Sequence, residues 1–123
     1  MSWNLNSDRP IFLQIVERIQ MDIISGIYKP GDKLPAVREL ASEASVNPNT
    51  MQRAFQELER AGLVFSQRSS GRYVTEDVEI IMEAKKAMAR QYVQSFMKSM
   101  EQLGYTGEEI LRLLEEGEEE EKQ

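Results

Sequence analysis

The chain has 123 residues, enough for one domain of ordinary size or a small domain with an appendage, and its 41% hydrophobic residues can supply a core. It contains no cysteine and no histidine, which excludes disulfides, thiol redox sensing and zinc or haem sites built from those ligands. The net charge of −6 is uneven: residues 1–75 hold nine Lys/Arg against eight Asp/Glu, and residues 76–123 hold six against thirteen. We therefore predict a module boundary between residues 75 and 76, with a first module that can present a basic face.

The N-terminal part of the chain predicts a short strand and an amphipathic helix. Trp3 and Leu5 alternate with polar residues, as in a short edge strand. After Pro10, apolar residues recur at helical spacing, and Gly26 is placed to end the helix. Its apolar positions are Ile11, Phe12, Ile15, Val16, Ile19 and Ile23. The composition of residues 28–32 predicts a turn, and a second helix is predicted over roughly residues 37–44.

The third predicted helix has a well-marked beginning. Asn47 suits the N-cap and Pro48 suits the first helical position. One face is apolar, with Met51, Ala54, Phe55 and Leu58, and the opposite side is polar, with Asn49, Arg53, Gln56, Arg60 and the flanking Gln52. A helix with one core face and a hydrogen-bonding first turn is typical of DNA recognition helices.

A β-hairpin is predicted after the third helix. Short β-prone segments at 63–65 and 73–74 flank a polar loop that contains Arg68, Gly71 and Arg72, and glycine there tolerates positive φ. Three helices followed by such a hairpin make a winged helix, whose two arginines could approach a minor groove or phosphates.

The second module is predicted to be helical. A long helix over 79–103 carries a broad apolar stripe, Gly104 ends it, and Thr106 with Glu109 forms a capping box for a last helix. The acidic end, residues 115–123, is predicted to be frayed and solvated. Two helices cannot bury so wide a stripe alone, so we predict a homodimer. Its predicted interface residues are Ile81, Met88, Tyr92, Phe96 and Met100.

Several motifs match one known family in residues and spacing. They are Pro10-Ile11-Phe12-Leu13-Gln14-Ile15, Gly26-Ile27-Tyr28-Lys29-Pro30-Gly31-Asp32-Lys33-Leu34-Pro35, Arg38-Glu39-Leu40-Ala41, Val46-Asn47-Pro48-Asn49-Thr50, Gly71-Arg72-Tyr73-Val74 and Leu103-Gly104-Tyr105-Thr106. Through them the chain resembles the GntR family of bacterial transcription regulators, specifically its short YtrA-type branch. The chain departs from the family pattern at Ala36, where a capping serine is usual, and at Ser69, where a first wing glycine is common.

The resemblance implies a set of DNA-contacting residues at the second helix, the third helix and the wing. With the residues singled out above, the predicted set is Arg38, Asn47, Asn49, Thr50, Gln52, Arg53, Arg68, Gly71 and Arg72. Base-edge chemistry would match Asn49 and Gln52 to adenine and Arg53 to guanine or phosphate. Larger relatives bind metabolites in a domain of their own, for which the tail here is too short, so an effector is left unassigned.

The sequence thus predicts a mainly α protein with a small β-hairpin: a winged helix-turn-helix over 1–75 and a helical dimerisation module over 76–123. Its predicted function is that of a cytoplasmic, homodimeric regulator, a repressor, which binds a near-palindromic operator in double-stranded DNA without catalysis, cofactor, metal or membrane. Two other classes are open: a winged helix that binds another protein, and a fragment of an enzyme fusion. Single residues also have alternatives to DNA contact. Arg38 could form a structural ion pair, and the remaining side chains could simply be solvated: Gln52, Arg53, Arg68 and Arg72.

Overall fold

The computed structural model describes residues 3–122, which form five helices and one β-hairpin. In chain order these are α1 (Ile11–Ile24), α2 (Val37–Ala44), α3 (Pro48–Arg60), β1 (Val64–Gln67), β2 (Gly71–Val74), α4 (Val78–Gln102) and α5 (Gly107–Lys122). The predicted mainly α fold with a winged helix-turn-helix is confirmed.

The chain divides into two compact units, one that ends at Lys85 and one that begins at Lys86. This division lies ten residues beyond the predicted boundary between residues 75 and 76. The first unit is longer because Ile80, Ile81 and Ala84, at the start of α4, pack against its core. The assignment of separate roles to residues 1–75 and 76–123 stays a prediction.

The core of the first unit is built from the apolar faces of its helices and from the base of the hairpin. The buried side chains are Ile15, Ile19 and Ile23 of α1, Leu40, Ala41 and Ala44 of α2, Met51, Ala54, Phe55 and Leu58 of α3, and Leu34, Leu63, Val64 and Val74 outside those helices. Full burial of a large aliphatic or aromatic side chain stabilises the fold by about 1.5–3 kcal/mol. This core fixes which face of α3 remains in contact with solvent.

The turn between α2 and α3 is held by backbone and side-chain hydrogen bonds. Ser45 ends α2 in the left-handed conformation, with φ 57°, and the Val46 N–H donates to the Ala41 carbonyl at 2.9 Å. Asn47 caps α3, because its Oδ1 accepts from the Asn49 N–H at 2.8 Å. At the start of α2, Ala36 supplies no side-chain cap, as its sequence position predicts.

The hairpin is fixed along both edges of β2. Antiparallel pairing runs from Val64 opposite Val74 to Gln67 opposite Gly71. On the other edge, the Leu34 N–H donates to the Arg72 carbonyl at 2.8 Å, and the Gly31 N–H donates to the Val74 carbonyl at 3.0 Å. The base of the wing is therefore tied to the segment before α2, whereas the turn at 68–70 joins the two strands.

The N-terminal segment is not a strand, contrary to the sequence prediction. The Gln14 side chain takes the hydrogen bonds that a neighbouring strand would supply. Its Oε1 accepts from the Asn6 N–H at 3.0 Å, and its Nε2 donates to the Asn6 carbonyl at 2.8 Å. The Trp3 ring lies 4.6 Å from the Arg18 guanidinium carbon. The segment therefore packs on α1 in an irregular conformation.

In the second unit, Gly104 adopts φ 95° between α4 and α5. The predicted capping box is present: the Thr106 N–H donates to Glu109 Oε1 at 3.0 Å, and the Glu109 N–H donates to Thr106 Oγ1 at 3.3 Å. The Glu109 carboxyl accepts from the Thr106 N–H and from Thr106 Oγ1, both at 3.0 Å, and these two hydrogen bonds lower its pKa. The prediction of a frayed acidic end is wrong as far as Lys122, where α5 ends, because glutamate is a good helix former. Among residues 3–122, no helix is long and apolar enough to cross a membrane.

Candidate nucleic-acid interface

Helix α3 has one buried face and one exposed face. Met51, Ala54 and Phe55 are fully buried, whereas Asn49 and Arg53 are exposed and Gln52 is half-buried. The exposed residues lie in the first two turns, directly after the Asn47 cap. Asn49, Gln52 and Arg53 therefore offer amide and guanidinium groups from one end of a helix whose other face is fixed in the core.

The Arg53 side chain rests on an aromatic ring of α1. Its guanidinium carbon lies 3.7 Å from the centroid of the Phe12 ring. Stacking on a ring face leaves the N–H donors at the edge of the guanidinium plane free to bind carbonyl or phosphate oxygens. Phe12 was assigned from sequence only to the apolar side of α1, and the contact adds a role in orienting Arg53.

Arg38 is exposed in the first turn of α2. Among residues 3–122, none of the ion pairs includes Arg38, so the alternative prediction of a structural ion pair gains no support. Thr50, in the first turn of α3, is half-buried. Asn47 uses its side-chain oxygen in the cap, so its role in DNA contact stays a prediction together with those of Arg38 and Thr50.

The two predicted wing arginines have different surroundings. Arg68 is exposed in the turn between β1 and β2. Arg72, on β2, is largely buried: its Nε donates to Glu59 Oε1 at 2.5 Å and its Nη1 donates to Gln52 Oε1 at 3.3 Å. Its guanidinium carbon also lies 5.2 Å from the Phe55 ring centroid. Arg72 therefore connects the wing to α3.

Glu59 is the acidic partner that holds Arg72 in place. Partial burial by itself would raise the pKa of the Glu59 carboxyl, but hydrogen bonds from Arg72 and Ser66, together with the positive charge of Arg72, outweigh it. The pKa of Glu59 is therefore lower than usual, and the carboxylate is charged at neutral pH. Sequence reasoning missed Glu59, because its pairing with Arg72 depends on the register of the hairpin against α3.

Two residues of the wing have positive φ, Ser69 in the turn and Gly71 at the start of β2. Gly71 has φ 112°, and a Cβ at this position would lie 3.2 Å from the Cε of Lys33. Ser69, where the family resemblance predicts a glycine, adopts φ 55°. A non-glycine residue in this conformation costs about 1–2 kcal/mol. The wing therefore keeps its turn despite the missing glycine.

The predicted dimer residues divide into two groups. Tyr92 and Phe96 expose 59% and 41% of their surface, and Met88 and Met100 are half-buried. Ile81 instead packs against the core of its own chain, because it lies at the start of α4 within the first unit. Its place in a dimer interface stays a prediction.

Within residues 3–122, no group of acidic side chains is arranged to hold a metal ion.

Comparison with known proteins places this arrangement in a family. The family model described as "Bacterial regulatory proteins, gntR family" matches residues 12–74. The chain is 42% identical to the uncharacterized regulator YhcF of Bacillus subtilis over 90% of this chain and 92% of YhcF. It is 37% identical to the transcriptional repressor YtrA of the same organism, over 89% of this chain and 82% of YtrA.

Solved structures agree with the sequence comparison. A GntR family transcriptional regulator from Listeria monocytogenes superposes with a TM-score of 0.85 at 38% identity, over 91% of this chain and 98% of that one. The DNA-binding domain of AraR, solved in complex with operator ORE1, superposes with a TM-score of 0.53 at 28% identity, over 61% of this chain and 94% of that one. The family predicted from the motifs is confirmed, and the chain belongs to the GntR family of bacterial regulatory proteins.

Proposed function

We propose that this protein is a transcriptional repressor that binds a near-palindromic DNA operator as a homodimer. The observation that carries the proposal is the division of α3 into a buried face and an exposed polar first half. A helix of this kind can enter the major groove while the core holds its orientation. The AraR domain, which was solved with its operator, and the repressor YtrA support the same function.

The proposed contacts combine base recognition and phosphate binding. Asn49, Gln52 and Arg53 of α3 read base edges, and Arg38 contributes from the start of α2. Arg68 in the turn of the wing contacts phosphate or enters the minor groove. Phosphate contacts supply affinity and orientation, whereas contacts to base edges supply sequence preference.

Dimerisation is proposed to run through α4. Tyr92 and Phe96 are four residues apart, so they lie on one side of the helix, and both have large exposed surfaces. A second copy of the chain would cover them symmetrically. A two-fold dimer also matches two operator half-sites that lie one helical turn of DNA apart, about 34–36 Å.

No catalytic role is proposed, since the curated relatives matched over most of this chain are named as transcriptional regulators. We place the protein in the cytoplasm because a regulator of this kind acts on chromosomal DNA. No cofactor belongs to the proposal.

The test is selection of genomic DNA fragments by the purified full-length protein, followed by fluorescence anisotropy on a recovered duplex and a scrambled duplex. We expect the fragments to share a near-palindromic sequence, and log affinity to fall linearly with log salt concentration. Arg53→Ala should lose preference for the recovered duplex, while Arg112→Ala, which removes an exposed arginine of α5, should keep it. Equal affinity for the recovered and scrambled duplexes would contradict the proposal and favour the protein-interaction alternative.

A further inference from the structure

The Arg72 side chain lies along one side of α3, from Gln52 to Glu59. It donates to Gln52 and to Glu59, and it lies over the ring of Phe55, so it touches three positions of α3 that are three and four residues apart. Glu59 also accepts from Ser66 Oγ at 2.8 Å, which joins β1 to the same cluster. A residue of the wing is thereby in direct contact with one of the proposed base-reading side chains.

This contact determines how the Gln52 amide is oriented. A guanidinium group has only hydrogen-bond donors, so Gln52 must turn its carbonyl oxygen, and not its amino group, toward Arg72. Among residues 3–122, the Gln52 amino group has no hydrogen-bond partner, and the side chain is only half-buried. The group that Gln52 can offer to DNA is therefore its N–H2 donor.

The orientation of the amide selects the kind of base edge that Gln52 can read. A glutamine reads adenine by accepting from the adenine N6 amino group and donating to N7 at the same time. When Arg72 occupies the carbonyl oxygen, Gln52 is best suited to donate to acceptors such as guanine O6 and N7 or thymine O4. The match of Gln52 to adenine, which base-edge chemistry alone predicts, is the less favourable one in this structure.

We infer that Arg72 is a positioning residue that sets the base preference of Gln52 toward acceptor edges without itself touching a base. This inference rests on the proposed operator binding, and it names the specificity of that same surface. It gives Arg72 a role different from that of Arg68, although both are arginines of one hairpin.

The first test is the base preference of variants, measured by selection from an operator library randomised at each position in turn. Gln52→Ala should lose a preference for guanine or thymine at particular base pairs of each half-site. Arg72→Lys keeps the charge but lacks the planar fork that reaches Glu59 and Gln52 together. It should reduce preference about tenfold at those same base pairs, and the double variant should lose nothing more. Arg112→Lys, which makes the same change at an exposed arginine of α5, is the matched control and should leave every base preference unchanged.

A second test needs no DNA and reports on the contact itself. The side-chain amide resonances of Gln52 in the ¹⁵N-labelled free protein should shift in Arg72→Lys and in Glu59→Gln, and should stay in place in Arg68→Lys. Unchanged Gln52 resonances in both variants, or equal weakening by Arg72→Lys on all sequences, would overturn the positioning role. A wild-type protein with no base preference at all would overturn the proposed function, whereas a wild-type preference that Arg72→Lys leaves intact would overturn only the role of Arg72.

Discussion

Replacing Tyr92 and Phe96 together by glutamate should dissociate the dimer that we propose. The two side chains lie one turn apart on α4, with 59% and 41% of their surface exposed in the single chain. Together, the two residues expose a surface about equal to that of one fully exposed aromatic residue in each protomer. Glutamate at both positions would remove this apolar surface and bring four negative charges to a two-fold interface.

The size of the effect follows from the exposed surface. Burial of one large apolar side chain is worth about 1.5–3 kcal/mol, and a symmetric pair of protomers buries this surface twice. The dimer would therefore lose about 3–6 kcal/mol of association free energy, which weakens its dissociation constant by about 100-fold to 10,000-fold. A dimer with a dissociation constant of about 0.1 μM would therefore become largely monomeric at micromolar concentration.

Sedimentation velocity at micromolar protein concentration, with and without palindromic operator DNA, measures this effect. The matched control is Ala87→Glu with Gln94→Glu, which adds the same charge at exposed positions on the opposite side of α4. The control should stay dimeric and keep its operator affinity. If the Tyr92/Phe96 variant sediments as a dimer, the interface lies elsewhere, and if it is monomeric with full operator affinity, recognition does not depend on dimerisation.

Three further predictions concern the first unit. Arg38→Ala and Arg53→Ala should each weaken operator binding by about 1–3 kcal/mol in anisotropy at one fixed salt concentration, and unchanged affinity in both would contradict the assigned contacts. Glu59→Gln should reduce stability to urea by up to about 1 kcal/mol at neutral pH. Because the pKa of Glu59 in the folded protein lies below its ordinary value of 4.5, the stabilisation is complete above that pH and is lost as the pH falls through the lower folded value. A difference between wild type and variant that did not shrink in acid would contradict this assignment. Asn47→Ala should cost about 1 kcal/mol in thermal unfolding, whereas Asn47→Ser should retain the cap, and equal losses in the two variants would show that capping is not the cause.

The helices could be predicted from the sequence because their signals are local. Asn47 and Pro48 mark the start of α3, and Thr106 with Glu109 marks the start of α5, through contacts within one turn. The irregular segment around Trp3 could not be predicted, because its hydrogen bonds come from a glutamine on α1. The same alternation of apolar and polar residues occurs whether a neighbouring strand or a side chain supplies the hydrogen bonds of the backbone.

The candidate site shows the same limit. The exposed first turns of α3 follow from helical periodicity, which places Arg53 opposite the buried Phe55. The difference between Arg68 and Arg72 cannot be predicted from helical periodicity, because it depends on which residue of the hairpin faces α3. The register of the hairpin is fixed by tertiary packing, so a composition argument treats the two arginines alike.

The hydrogen bonds on both edges of β2 divide the wing into an anchored base and a tip, residues 68–70, whose hydrogen bonds within residues 3–122 stay inside the hairpin. Insertions or deletions at 68–70 would change the length of the wing, while the pairing of Val64 with Val74 would keep its register. Descendants of one ancestral regulator could therefore lengthen or shorten their footprint on DNA without repacking the core. In this fold, the reach of the wing and the stability of the domain are free to evolve separately.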